Sequence, residues 1–226
     1  IFPESFILFL PRDIVSGDFY WICRKKHTIV IVAADCTGHG VPGAFMSILG
    51  VSFLNEIVSR DIPRANIILN RLRENIMKSL HQTGDIYEHK DGMDIALCIC
   101  DLEKRELQFS GAFNPMYLIR DGELNEVRGD KMPIGIAPTE EKSFTNHVLD
   151  LRKNDLIYIF SDGFADQFGG PEDRKFRYRP FKELLVRIHK QDMGKQKKLL
   201  EQKFYNWKGE VDQVDDILII GFKIQT

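Results

Sequence analysis

One segment near the start of the chain reads as a β-hairpin with an aspartate at each open end. Two runs rich in β-branched and aromatic residues, Phe19–Lys25 and Thr28–Ala34, flank a gap of two residues. If that gap is a tight turn, antiparallel pairing places Asp18 opposite Asp35. Carboxylates so close together repel each other unless a proton or a cation neutralises them. The hairpin therefore predicts a metal site at this rim of a sheet.

Three more aspartates lie at the ends of predicted strands. Asp162 follows the apolar run 156–160, and the pair Asp215-Asp216 precedes the apolar run 217–220. Carboxylates at the ends of buried strands project beyond the sheet, and the strands hold them rigidly. Oxygen ligands in a firm setting suit a hard ion such as Mg²⁺ or Mn²⁺. The alternative for Asp162 is an ordinary Asp-Gly turn.

Blocks of strands alternate with pairs of helices along the chain. This order lacks the strict β-α alternation of a doubly wound fold, so we predict an α+β fold. We expect a four-layer α-β-β-α sandwich of two mostly antiparallel sheets flanked by helices. Strands are predicted at 6–10, 19–25, 28–34, 93–100, 106–110, 116–120, 123–127, 143–149, 155–160 and 216–224, and helices at 45–57, 67–80, 180–189 and 195–207.

The first two predicted helices each carry one stripe of large apolar residues. Residues three and four apart share a helix face, so each stripe predicts the face that is buried. The stripes consist of Phe45, Ile48, Leu49, Ser52, Phe53 and Ile57 in the first helix, and of Ile68, Leu69, Leu72, Ile76 and Leu80 in the second.

The composition is that of an ordinary globular protein. The 226 residues are 43% hydrophobic and 28% charged, with a net charge of -2, which gives no reason to expect nucleic-acid binding or membrane insertion. The residues 1–226 show no repeat and no linker, so we predict a single domain. The four cysteines are expected to be reduced core thiols, which favours the cytoplasm. The chain has neither a Cys-x5-Arg loop nor a P-loop, so we expect neither a thiolate phosphatase nor a P-loop nucleotide enzyme.

Four short motifs, taken in order, resemble a known family. They are SGDFY at 16–20, ADCTGHG at 34–40, SDG at 161–163 and DDIL at 215–218. Each is weak alone, but their order and spacing resemble those of the metal-dependent serine/threonine protein phosphatases, the PPM superfamily. The bacterial branch typified by the sporulation stage II protein E (SpoIIE) phosphatase is the closer match. The resemblance covers essentially the whole chain and implies the same α-β-β-α sandwich.

The resemblance also implies two divalent cations, Mn²⁺ or Mg²⁺, and assigns their ligands. Asp18 would bind one ion, and Asp35 would bridge both. The backbone carbonyl of Cys36 would complete part of the coordination sphere. Asp162 and Asp215 would bind the other ion.

Further residues receive weaker assignments. Asp216 is either a ligand or a partner that holds a ligand in place, and Asp91 or Asp94 would contribute to a third, looser ion. Arg12 would contact the substrate phosphate. His39 lies in a Gly-His-Gly turn after the bridging aspartate and would either protonate the leaving alkoxide or hydrogen-bond the loop.

The function implied by the resemblance is hydrolysis of phosphoserine or phosphothreonine by a hydroxide that bridges the two metals. The substrate would be a bacterial signalling protein, such as an anti-sigma-factor antagonist. We expect the C-terminal output domain of a longer protein, with a homodimer formed through a preceding segment. It would be cytoplasmic, or the cytoplasmic domain of a larger membrane-anchored sensor. Two alternatives stay open: a catalytically silent binding or signalling module of the same fold, and a metal phosphohydrolase acting on small phosphoesters.

Overall fold

Two five-stranded antiparallel sheets lie face to face and carry helices on both outer faces. The structure, a computed structural model, describes residues 2–38, 40–59, 61–83, 91–136 and 142–225. The predicted α-β-β-α sandwich is confirmed. The first sheet has the order β1 (Ser5–Leu10), β12 (Ile217–Lys223), β9 (Leu156–Phe160), β6 (Met116–Arg120) and β7 (Glu123–Val127), and the second has the order β2 (Phe19–Lys25), β3 (Thr28–Cys36), β4 (Met93–Asp101), β5 (Glu106–Ala112) and β8 (His147–Asp150).

Three apolar layers hold the sandwich together. The middle layer lies between the sheets and contains Ile31, Cys98 and Leu218. The layer outside the second sheet is closed by α1 (Gly40–Ile57) and α2 (Ala65–Ser79). The layer outside the first sheet is closed by α4 (Tyr178–Ile188) and α5 (Met193–Lys208). Because both faces of both sheets are covered, the central strands are continuous apolar runs rather than alternating ones.

The hairpin that opens the second sheet has the predicted register. Lys25 pairs with Thr28, and Phe19 pairs with Ala34. Asp18 directly precedes this ladder, and Asp35 continues it in β3, where it pairs with Asp94 of β4. The aspartates therefore meet at one rim of the sheet, as predicted from the two-residue turn.

The buried face predicted for α1 is wrong at Phe45 and Ile48, although Leu49, Phe53 and Ile57 of the same stripe pack against the core, whereas the face predicted for α2 is confirmed. Phe45 and Ile48 are 63% and 64% exposed. Leu72 and Ile76 of α2, in contrast, have no exposed surface. The buried positions of α1 are Gly43, Met46, Gly50 and Leu54.

Glycines explain the orientation of α1. A Cβ atom added to Gly43 would lie 2.3 Å from the carbonyl oxygen of Gly38, and one added to Gly50 would lie 2.7 Å from the ring of Phe19. The helix backbone thus approaches the sheet more closely than any side chain would permit. Phe45 and Ile48 are consequently turned outward, which a search for apolar periodicity cannot detect.

The outward face of α1 is unusually apolar. Val41, Phe45 and Ile48 are all more than half exposed. By length and composition alone, α1 could cross a membrane, which the sequence reading did not anticipate. In the structure it packs against α2 and β3 as one outer layer of the sandwich.

The segment between β9 and α4 contains short regular elements. It forms the short helix α3 (Gly163–Asp166) and a two-stranded ribbon of β10 (Phe168–Gly169) and β11 (Arg174–Lys175). We call residues 163–177 the flap. Elsewhere the boundaries differ little, except that the strand predicted at 143–149 is the shorter β8.

Candidate metal centre

Five carboxylates gather at one end of the sandwich, where both sheets contribute. Asp18, Asp35 and Asp94 come from the second sheet, and Asp162 and Asp215 come from the first. An open cavity of about 360 Å³ lies against this cluster. Its lining consists of Asp35, Cys36, Thr37, Gly38, Asp94, Asp162 and Asp215.

Asp216 ties the two sheets together beside the cluster. Its carboxylate accepts backbone N–H groups of Arg12 and Gly17, at 2.7 and 2.8 Å. The side chain is 2% exposed, so these bonds are shielded from water. Asp216 therefore fixes the loop that carries Asp18, as one of the two predicted alternatives requires.

A close backbone contact brings Asp162 beside Asp215. A Cβ atom on Gly163 would lie 2.0 Å from the carbonyl oxygen of Asp216. Only glycine permits this approach, so the Asp-Gly pair here is more than a turn signal. It sets the distance between two strand ends from different parts of the chain.

Burial and mutual repulsion both raise the pKa values of the cluster. Burial is the larger cause for Asp18 and Asp35, and neighbouring carboxylates raise their pKa values further. Burial, and then Asp166 and Asp215, raise the pKa of Asp162. Burial and the charge of Asp162 raise the pKa of Asp94 to about 7. The site thus resists full ionisation without a cation.

The donor set fits a hard divalent ion. Asp18 is 4% exposed, and its Oδ2 has no hydrogen-bond partner, while the Ser161 hydroxyl bonds the carboxylate and lowers its pKa. Asp35 lies close enough to Asp162 to affect its pKa, so the two carboxyl groups are near neighbours. Among the described residues, no three His, Cys, Asp or Glu side chains already form a ligand set. Repelling oxygens around an unsatisfied buried carboxylate are what Mg²⁺ or Mn²⁺ would neutralise.

Cys36 faces the cavity, but its thiol is not suited to nucleophilic attack. Burial and the charges of Asp35 and Asp18 raise its pKa well above the ordinary value. A thiol in such an anionic setting stays protonated. The prediction gave Cys36 a role through its backbone carbonyl and none through its sulfur, and a protonated thiol is compatible with that role.

The structure places the other predicted residues unequally. Asp94 lies in the cluster and lines the cavity. The Arg12 guanidinium instead donates to the carbonyl of Val214 at 3.0 Å, and Arg12 is not among the residues that line the cavity. His39 lies outside the described residues, so its two predicted roles stay predictions.

Tyr178 is a site neighbour that the sequence reading missed. It is the first residue of α4, 39% exposed, and the charges of Asp162 and Asp35 are among the causes that, after burial, raise its pKa. No motif marks this tyrosine, because it lies in a run of basic and aromatic residues far along the chain. Tyr178 lies beside the site because the flap folds the chain back toward the carboxylate cluster.

Comparison with known proteins agrees with this geometry. Residues 25–225 match the model of the Stage II sporulation protein E (SpoIIE) family. The SiaA-PP2C domain of Pseudomonas aeruginosa superposes with a TM-score of 0.87 at 30% identity, covering 98% of this chain and 86% of that one. The PP2C phosphatase domain of SpoIIE from Bacillus subtilis, solved with a fragment of its regulatory domain, superposes with a TM-score of 0.79 at 21% identity, covering 98% and 63%.

A curated relative adds a named activity. The phosphoserine phosphatase RsbU of Bacillus subtilis (strain 168) is 26% identical over 163 residues. The match covers 70% of this chain but only 45% of that relative, so the chain spans less than half of its length.

The fold and the carboxylate cluster define a PP2C-type phosphatase domain. The match over residues 25–225 identifies the branch: the chain belongs to the SpoIIE family. Asp18 precedes the matched range, so its place in the site comes from the hairpin register and not from that match.

Proposed function

We propose that this chain is a phosphatase dependent on divalent metal ions that hydrolyses phosphoserine or phosphothreonine on a protein. One observation carries the proposal: Asp18 presents an unpartnered buried oxygen within a cluster of carboxylates that opens to a cavity. A silent module of the same fold would have no reason to keep mutually repelling acids so deeply placed. Function commonly retains such locally unfavourable groups.

The carboxylates of Asp18, Asp35, Asp162 and Asp215 would hold the ions, with the carbonyl of Cys36 beside them. Divalent ions bound there would supply Lewis acidity, which lowers the pKa of water and offsets charge on the phosphoryl oxygens. Asp216 would act indirectly: its hydrogen bonds with backbone amides fix the loop that carries Asp18. The Cys36 thiol stays protonated, so a covalent thiophosphate is not part of this mechanism.

The substrate class is inferred from the relative rather than from the cavity. RsbU carries the name phosphoserine phosphatase, and we extend that activity to this chain. A phosphorylated bacterial signalling protein, such as an anti-sigma-factor antagonist, is the proposed substrate. We also propose a cytoplasmic location and control by a preceding, dimer-forming segment.

The test is release of phosphate from a phosphoserine peptide with and without Mn²⁺ or Mg²⁺. We expect turnover that requires the metal and that Asp35→Asn lowers by about a thousandfold or more, because one ligand of the site loses its charge. Nucleotides and other small phosphoesters should be poorer substrates.

Asp61→Asn is the matched control, since Asp61 is exposed and lies beyond the far end of α1. It should keep full activity. Absence of turnover on every phosphoester would contradict the enzyme proposal and favour the silent module. Preference for nucleotides would favour the small-phosphoester enzyme, and full activity of Asp35→Asn would contradict the site.

A further inference from the structure

We infer that a groove beside the carboxylate cluster binds the residues that flank the phosphoserine of a protein substrate. This inference rests on the proposed function and adds to it a preference for particular residues beside the phosphoserine. The groove has a volume of about 480 Å³ and shares Asp94 and Asp162 with the metal centre. The residues that define it are Phe113, Asn114, Tyr117, Arg128, Lys131 and Tyr178.

Asn114 supplies an unused hydrogen-bond donor at this groove. Its side chain is 5% exposed, and its Nδ2 has no partner. An unpaired buried amide costs free energy that a ligand acceptor would recover. The acceptor we assign to it, once the amide turns toward the groove, is a main-chain carbonyl of an extended substrate segment. Asn114 is thus a positioning residue.

The backbone around Asn114 is built rigidly. A Cβ atom on Gly111 would lie 2.4 Å from the Asn114 carbonyl oxygen, and one on Gly129 would lie 2.8 Å from it. The N–H of Phe113 donates to the carbonyl of Asp130 at 2.8 Å. The amide is therefore presented from a fixed loop and not from a mobile one.

Phe113 gives the groove an aromatic wall. It is 47% exposed although it is a large apolar residue, and its φ of 56° lies in the left-handed region. That conformation is costly for a bulky side chain. Because the ring is about half exposed, its burial contributes little stability in return. A function in binding explains why an aromatic residue stands here. Together with Tyr178, it would pack against an apolar substrate side chain.

The far side of the groove carries two basic side chains, Arg128 and Lys131, beside Glu126. Lys131 is exposed and makes no hydrogen bond or ion pair within the described residues. Arg128 is also exposed and only approaches Glu126, at 4.0 Å, while Glu126 is already bound by Lys182 at 3.0 Å. Cations available at the rim favour an acidic residue in the partner.

These features define the occupant by its chemistry. It is an extended segment with phosphoserine over the carboxylate cluster, an apolar neighbour against the aromatic wall and an acidic residue at the basic side. The shared Asp94 and Asp162 make the groove continuous with the site of reaction. A separate ligand would have to compete with the substrate for this space.

The experiment compares two phosphoserine peptides of equal length with p-nitrophenyl phosphate, a small ester that lacks flanking residues. One peptide has leucine and glutamate next to the phosphoserine, and the other has alanine and lysine there. The measured quantity is the ratio of kcat/KM for each peptide to kcat/KM for the small ester. We expect the leucine-glutamate peptide to be preferred by about tenfold.

Variants assign that preference to the groove. Phe113→Ala and Asn114→Ala should each lower the ratio for the leucine-glutamate peptide by about fivefold to tenfold, mainly through KM. Lys131→Glu should reverse the choice between glutamate and lysine, an outcome that a purely structural role cannot produce. Tyr205→Ala is the control, because Tyr205 is also aromatic and 51% exposed but lies on α5.

The outcomes separate this inference from the proposed function. If wild type hydrolyses no phosphoester, the proposed function fails. If it hydrolyses both peptides but shows no preference, or if Lys131→Glu leaves the preference intact, the groove inference fails alone. Lys131 is exposed, so its variant remains informative even if Asn114→Ala does not fold.

Discussion

The two ends of strand β9 place an aspartate in opposite circumstances. At one end, Asp155 is 2% exposed and is held by Arg120 through two hydrogen bonds of 2.8 and 2.7 Å. It also accepts the backbone N–H of Arg152 at 2.8 Å. At the other end, Asp162 faces carboxylates, and burial raises its pKa. One strand thus carries an acid paired with a cation at one end and an acid surrounded by other acids at the other.

The comparison teaches how to tell a structural acid from a functional one. Burial alone is not enough to distinguish them, because Asp162 is also partly buried although it lines the cavity. The difference is in the partners: the protein supplies a cation and an amide to Asp155, whereas Lys175 acts on Asp162 only as the last of five influences on its pKa. A buried acid whose compensation is missing from the chain points to a ligand from solution.

The largest effect on the rate is expected from a change at Asp162. Asp162→Asn should lower the metal-dependent rate by about a thousandfold, equivalent to about 4 kcal/mol, because a metal ligand loses its charge. Asp162 is a metal ligand only in the proposed mechanism, and the same change should leave the metal-free protein at least as stable, since it removes a repelling carboxylate. Steady-state kinetics and urea unfolding in chelator measure the two quantities. Loss of stability together with activity would show that Asp162 is structural after all.

A change at Asp155 should have the opposite pattern, with a loss of stability and little change in rate. Asp155→Ala should lower the free energy of unfolding by about 3 kcal/mol, because it leaves the Arg120 guanidinium without its partner. At a temperature where the variant is folded, kcat should stay close to that of wild type. Glu183→Ala removes the exposed partner of Arg179 and should cost under about 0.5 kcal/mol. Equal losses in the two variants would contradict the distinction.

The smallest effect concerns pH. The pKa of Asp94 is raised from 3.8 to about 7 in the folded protein, so the metal-free fold retains a proton that the unfolded chain releases. Stability should therefore fall as pH rises from about 4 to about 7, and Asp18 and Asp35 act in the same direction. Saturating Mn²⁺ should abolish the fall, because metal binds the ionised form. Melting temperatures measured across pH with chelator and with Mn²⁺ test this, and a rise with pH in chelator would contradict it.

Local patterns predicted the hairpin and the strand ends well. A two-residue gap between β-rich runs determines pairing, so Asp18 and Asp35 could be placed together from the sequence. The distant Asp162 and Asp215 needed the family resemblance, because nothing local indicates which strand ends share a rim. The order of the elements predicted the sandwich, because the blocks of strands form sheets whose apolar faces must be covered.

Other features could not be predicted because they depend on close tertiary contacts. Gly43 and Gly50 turn α1 by packing against backbone and an aromatic ring, so the apolar stripe wrongly placed Phe45 and Ile48 on its buried face. The flap ribbon has strands of only two residues, too short for a periodic signal. Tyr178 reaches the site only because the flap returns the chain to it.

The bonds from Asp216 to Arg12 and Gly17 have a consequence for biosynthesis. They span about two hundred residues of sequence, and β1 pairs with β12 beside them. The loop that carries Asp18 consequently cannot be locked until β12 has been made and has paired, a non-local step that is intrinsically slow. A nascent chain that stops short of β12 would hold the hairpin but not the metal centre. Phosphatase activity should therefore appear during synthesis only after β12 has left the ribosome.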